Sequence, residues 1–292
     1  MLYIFLSICC SVSVSIMLKL AKRYHIDVLQ AVTWNYSVAI ALTWFLYKPQ
    51  LNQQQTNHSY TYLILGVLLP VLFLIIAISV RIAGIVRTDL AQRLSLLIPI
   101  LAAFFLFGEK LTLLKLGGIG LGFVAILCTV PSRGTANTRG KGNLSWLYLL
   151  LVFAGFGVID IMFKRVAVFT DVPYTTSLFI CYILAFIVSV IILIIQINRK
   201  KTKFSWPHIL IGWVLGVANF GNILFYIKAH QALANTPSTV FAAMNIGVIV
   251  LAALVGLIVF KEKLSVVNKA GIALALIAII IICYHQQILN VI

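Results

Sequence analysis

Apolar stretches of about 20 residues, the length that crosses a bilayer as a helix, recur along this chain with short polar breaks between them. They fall at 2–21, 28–47, 61–80, 84–107, 111–130, 145–168, 173–197, 208–230, 236–260 and 264–284. The pattern predicts an all-α polytopic membrane protein with ten transmembrane helices, numbered here as spans 1 to 10. The two most polar breaks, 131–145 and 198–206, collect Gly, Ser, Asn and basic residues.

One pattern occurs twice. Phe107, Gly108, Glu109, Lys110, Leu111 and Thr112 open a Gly-rich apolar run, and Phe260, Lys261, Glu262, Lys263, Leu264 and Ser265 open another. The two glutamates are separated by 153 positions, an interval that holds five spans. An odd number of crossings turns the second copy upside down, so the chain reads as two inverted five-helix repeats with a substrate site between them. The expected units are 1–130, a linker at 131–144, 145–284, and a tail at 285–292. Ser15 to Lys19 in span 1 matches Asp160 to Lys164 in span 6, and Gln92 of span 4 falls opposite Asn245 of span 9.

Composition narrows the class. Apolar residues make up 62% of the chain and charged ones 10%, too little polar surface to cover a soluble core, so the solvent is largely lipid. The formal charge of +16 points to nucleic acid in a soluble protein; here the basic residues gather at helix ends and in loops, as membrane topology requires. Span 1 follows Met1 without a basic leader or a small-residue cleavage site and reads as a retained helix. Cys9, Cys10, Cys128, Cys181 and Cys283 lie inside spans and imply no disulfide framework.

With its Phe-x-Glu-Lys-Leu turns at Glu109 and Glu262, the Gly-rich helices after them, and lysines late in spans 1 and 6, the chain resembles the EamA-type transporters of the drug/metabolite transporter superfamily. The resemblance covers nearly the whole length and implies two inverted five-helix units. The family often carries an arginine in span 2, where this chain has Trp34, Asn35 and Tyr36. Its span 4 is usually small and apolar, whereas this one carries Arg87, Asp89, Gln92 and Arg93. Substrate identity therefore does not transfer from the family.

Ions at membrane depth pair, snorkel or line a cavity. Asp89 and Arg93 are four residues apart and can pair on one face of span 4, with Gln92 on a neighbouring stripe. They form either an interfacial polar cap or, as the resemblance implies for a central helix, a cavity lining. Asp160 and Lys164 share that spacing, with Arg165 turned about 100° away; an intrahelical ion pair competes with a substrate role, and Lys19 has no such acid partner. Asn219 and Asn222 of span 8 bind substrate or bond helix to helix, while Lys228 and His230 are expected to snorkel. In span 2, aromatic core packing competes with a wall around Asn35. The expected substrate-binding set is Lys19, Asn35, Arg87, Gln92, Arg93, Lys164, Asn219, Asn222 and Asn245, with Asp89 and Asp160 as candidates for proton coupling. Glu109 and Glu262 are expected to favour the N-terminal dipoles of spans 5 and 10, and Pro99 and Pro70 to kink their helices.

Enzyme chemistry finds no support. Gly134 to Gly140 and Lys141 imitate a phosphate loop with the wrong spacing and without its Ser or Thr, and His25, His58, His208, His230 and His285 show no metal spacing. No cofactor and no metal are expected. The expected function is a secondary transporter, an exporter or exchanger of a small polar, anionic metabolite or amino acid. The alternatives are a scaffold or lipid-handling protein and, further off, an intramembrane enzyme. Expected partners are the lipid bilayer and a small-molecule substrate, without nucleic acid, in a monomer or homodimer of a bacterial cytoplasmic membrane. Lys22, Arg23, Arg81, Arg87, Arg133, Arg139, Lys141, Arg199, Lys200, Lys201 and Lys203 fall opposite the termini. The positive-inside rule then puts both termini outside, against the cytosolic termini that the resemblance implies.

Overall fold

The computed structural model describes residues 1–24, 26–51, 57–110, 112–129, 142–199, 204–259 and 265–289, and among them every regular element is helical. In chain order these are α1 (Leu2–Arg23), α2 (Val28–Tyr47), α3 (Ser59–Ile82), α4 (Ile85–Leu94), α5 (Leu97–Phe105), α6 (Leu113–Thr129), α7 (Gly142–Ala167), α8 (Tyr174–Asn198), α9 (Trp206–Ala232), α10 (Pro237–Ile258) and α11 (Val266–Leu289). Among the described residues, seven helical stretches are long and apolar enough to cross a membrane: 59–82, 87–105, 144–167, 174–198, 206–232, 237–258 and 266–284. Leu2–Leu18 and Leu113–Cys128 are shorter apolar helices. The more polar α2 buries Gln30, Thr33, Asn35 and Thr43 inside the bundle. Its first turn is capped by Asp27, whose carboxylate accepts from the Leu29 and Gln30 amides, meeting donors that no helical carbonyl can reach.

Span 4 is two helices. A proline at position 99 has no N–H for the Ser95 carbonyl, which accepts instead from Ile98, while Leu96 donates to Arg93. The chain makes a tight turn at Ser95 and Leu96 and resumes as α5. Pro70, by contrast, sits inside the unbroken α3.

The principal packing runs between the two halves of the chain. α6 lies on α11, α2 on α8 and α9, α1 on α9 and α10, and α3 on α7 and α8. Close approach depends on glycine. A Cβ on Gly212 would lie 2.6 Å from the Ala31 carbonyl oxygen, and one on Gly216 2.8 Å from that of Asn35, so α2 and α9 meet backbone to backbone. Exposed aromatics mark two levels along the bundle. Trp44, Phe45 and Tyr60 lie towards one end, with Trp146, Phe204 and Trp206 towards the other, as interfacial belts do.

Because backbone atoms cannot retreat as a flexible side chain can, Gly216→Val is expected to destabilise the purified protein by about 1–3 kcal/mol. Gly117→Ala, where a new Cβ meets nothing within 4 Å, is expected to leave the melting temperature unchanged or slightly raised; thermal unfolding in detergent measures both.

Candidate functional site

Two polar zones lie at opposite ends of the helices of spans 1, 4, 6 and 9. One end, the Glu109 side, is closed. Among the described side chains of α1 the buried ones, Ile4, Ser7, Ile8 and Val12, all precede residue 13. In α7 they concentrate from Ile159 to Ala167, and in α10 from Pro237 to Val250. Toward the other end, the Arg87 side, burial thins: Leu144, Trp146, Leu147, Leu150 and Leu151 of α7, Leu254, Leu257 and Ile258 of α10, and Val259 just after it are exposed, apolar surface of the kind that faces lipid.

The closed end is built around Glu109. After α5 the chain turns through Gly108 with φ of 65°, a left-handed conformation that suits glycine. The turn delivers Glu109 into the bundle, where its carboxylate pairs with Lys115 of α6 and both side chains are almost completely buried. The same carboxylate accepts from the Ser238 amide at 2.8 Å and from the Ser238 hydroxyl at 2.9 Å. It therefore caps the N-terminus of α10, in the opposite half of the chain, and not span 5 as the sequence led one to expect. Lys115 was not singled out by the sequence; its signal is a lone cation in the Gly-rich apolar run six residues after Glu109.

Beside this pair lies a second buried cluster. Lys164 is 1% exposed and donates to the Ala234 carbonyl at 3.0 Å and the His230 carbonyl at 3.4 Å, satisfying carbonyls that the end of α9 leaves free. Its ammonium lies 5.8 Å from the Phe107 ring centroid. Asp160 accepts instead from the Tyr226 hydroxyl at 2.9 Å, so the intrahelical Asp160–Lys164 ion pair is replaced by bonds from α7 to α9. Arg165 turns away to Tyr60. His230 does not snorkel: it is fully buried, with ring centroids 4.7 Å from both Tyr226 and Phe241. Lys228 reaches the face, 5.8 Å over the Tyr3 ring.

Just outside this closure, the connection before α3 is tied to the one before α8. His58 Nε2 lies 2.8 and 2.9 Å from the two Asp171 carboxylate oxygens, and its ring stacks on Phe169 at 3.7 Å. That hydrogen bond holds the Asp171 carboxyl below its ordinary 3.8.

At the Arg87 end, α4 carries the expected Asp89–Arg93 pair at 2.7 Å, both partners about a third exposed. Arg87 and Gln92 are exposed on the same helix. Thr88, facing inward, bonds Ser79 at 2.8 Å and anchors α4 to α3. Lys19 falls in the last part of α1, and its side chain lies outside the described residues, as do Glu262 and the stretch Gly134 to Lys141. The expected amides are engaged with protein groups. Asn219 donates to Asn35 at 3.2 Å, Asn222 accepts from Ser7 at 2.9 Å, and Asn245 donates to the Phe241 carbonyl at 3.0 Å. Gln92 on α4 and Asn245 on α10 make no hydrogen bond to each other among the described residues.

Apolar helices of this length and number make the chain a multi-pass integral membrane protein whose outer surface meets the lipid bilayer. The EamA-like transporter family model matches residues 1–130 and 143–284, and the chain belongs to that family, within the drug/metabolite transporter superfamily. It is thus a membrane transporter of that type, and members of the family are transporters, not enzymes. An uncharacterized protein of Haemophilus influenzae (strain Rd) is 43% identical over 97% of this chain and 98% of its own length. A crystal structure of a protein 16% identical covers 99% of this chain and 97% of that one with a TM-score of 0.71, and shows the likeness of fold.

Removing one partner of the buried pair strands the other, so Glu109→Ala is expected to cost about 3–5 kcal/mol. Adding Lys115→Met is expected to recover part of it, read by thermal unfolding. The Asp171 carboxyl, held low, contributes stability above 3.8 that disappears as pH falls through its lower folded value. The melting-temperature gap between the protein and Asp171→Asn is therefore expected at neutral pH and should narrow below 3.8.

Proposed function

We propose that the chain is a secondary transporter working by alternating access, with its ten spans arranged as two inverted five-helix repeats, 1–130 and 145–284, joined by the linker 131–144. The observation that carries this reading is the end-to-end contrast in burial along spans 1, 6 and 9, dense around Glu109 and sparse toward the Arg87 end. Packing supports the inverted relation. A Cβ on Gly118 would lie 2.8 Å from Ile281, and one on Gly271 2.8 Å from Cys128. Both glycines and both partners are related by the same 153-residue offset as Glu109 and Glu262. Likewise α1 packs on α9 and α10, while α7 packs on α3, α4 and α5, the exchange expected of two copies related by a two-fold axis in the membrane plane.

The substrate is a small metabolite carrying a carboxylate or phosphate. In this state the groups assigned to it are Lys19, Arg87, Gln92, Arg93 and Asn245, since Lys164, Asn35, Asn219 and Asn222 hold helices together. Asp89 is taken up by Arg93, which leaves Arg87 as an exposed cation on α4 with nothing neutralising it among the described ion pairs. Asp89 and Asp160 are the carboxylates within the spans available for proton coupling. The relative in a bacterium supports placing the chain in a bacterial cytoplasmic membrane.

A panel of metabolites screened by thermal stabilisation of the purified protein tests this reading. A bound ligand at 100 times its Kd stabilises by about 2.7 kcal/mol. Anionic compounds are expected to score, and Arg87→Ala to weaken their binding about ten-fold, the equivalent of 1.4 kcal/mol, while the variant still purifies. Stabilisation confined to neutral or cationic compounds would overturn the anion assignment, and a protein stabilised by nothing on the panel would favour a scaffold.

A further inference from the structure

An imidazole always carries at least one N–H, and when neutral also a ring lone pair, so a buried histidine ordinarily bonds through both nitrogens. His230 bonds through neither. It has no exposed surface, and Nδ1 and Nε2 are both without a hydrogen-bond partner among the described residues. Tyr226 of its own helix, in a T-shaped arrangement, and Phe241 of α10, tilted, each lie with ring centroids 4.7 Å from the imidazole.

The charged and titratable groups around it come from several elements. Lys164 of α7 bonds its carbonyl, Tyr226 of α9 lies beside its ring and holds Asp160 of α7, and Glu109, paired with Lys115, caps the start of α10. Lys164 reaches to 3.4 Å from the carbonyl oxygen of His230 itself. A protonated ring here would place two cations together with no water to screen them. The α10 segment that covers His230 is the one whose N-terminus Glu109 caps.

We propose that His230 is a proton-binding site whose contact with water is switched by the Glu109 closure. Sealed, it is held unprotonated and without partners; when the start of α10 parts from the end of α9, water reaches the ring and supplies the missing hydrogen bonds and the proton. Because protonation is then possible only in the unsealed arrangement, mass action requires that acid favour opening on the Glu109 side. This inference rests on the alternating-access reading and adds to it a proton site other than the spans' carboxylates.

The test places a cysteine at Thr239, which is buried at the start of α10 with an unpartnered hydroxyl. The full-length protein is labelled with a membrane-impermeant maleimide, read at that residue by peptide mass spectrometry. Rates are normalised to the same protein unfolded at the same pH, which removes the pH dependence of the thiol. Labelling of Thr239→Cys is expected to rise about five-fold from pH 8 to pH 5.5, as mass action on a single proton site allows, and to stay flat when His230→Gln, or in its place His230→Asn, is added. A flat profile with His230 present overturns the proposal, as does an equal rise without it, which would hand the effect to Glu109 or Asp160. Glu109→Ala with Lys115→Met loosens the closure directly. Labelling raised by that pair but not by acid overturns the His230 site and leaves alternating access standing; labelling that neither changes overturns both.

Discussion

A carboxylate and an ammonium buried together away from water are held only where the remaining hydrogen-bonding capacity of both is met nearby. For Glu109 that condition is met by drawing three helices to one point. The glutamate arrives through a left-handed glycine at the end of α5, the lysine stands in the first turn of α6, and the amide and hydroxyl of Ser238 at the start of α10 complete the carboxylate. Since α10 belongs to the other half of the chain, this interaction ties the halves together at the Glu109 end, as His58 and Asp171 do just outside it. The buried residues of α1, α7 and α10 cluster toward the same end.

The halves do not form separate lobes. Nearly all the principal helix contacts cross from one to the other, and α2 and α9 approach so closely at Gly212 and Gly216 that backbone meets backbone. A bundle interleaved in this way moves most readily by exchanging the contacts at its ends, where polar bonds can be traded for water, and not along its tightly packed glycine seams. Lys164 on the carbonyls of His230 and Ala234, Asp160 on Tyr226, and Glu109 on Ser238 are contacts of the exchangeable kind.

Polar residues within spans divide by what their neighbours ask of them. Asn35, Asn219 and Asn222 sit where two helices meet, and an amide there that found no partner would be costly in a setting without water; each bonds across the interface. On α4, Asp89 and Arg93 satisfy each other a turn apart, and Arg87 and Gln92 are exposed. Residue type does not distinguish these cases. Position in the bundle does.

The sequence by itself determined the class. Periodic apolar stretches, the paired Phe-x-Glu-Lys-Leu turns and the five spans between them specify a membrane-embedded helical chain of the EamA type, because segment length and lack of charge are local properties that the bilayer enforces wherever the chain is placed. The Asp89–Arg93 pair and the break imposed by Pro99 were legible for the same reason, being contacts within a turn or two of one helix. Where burial concentrates, that Glu109 caps α10 and not a helix of its own half, that Lys164 bonds carbonyls at the end of α9 instead of pairing with Asp160, and that His230 is buried without hydrogen-bond partners among the described residues were decided by tertiary structure. Each depends on which helices from the far half of the chain come to lie alongside, and neither spacing nor hydropathy along one strand of sequence carries that information.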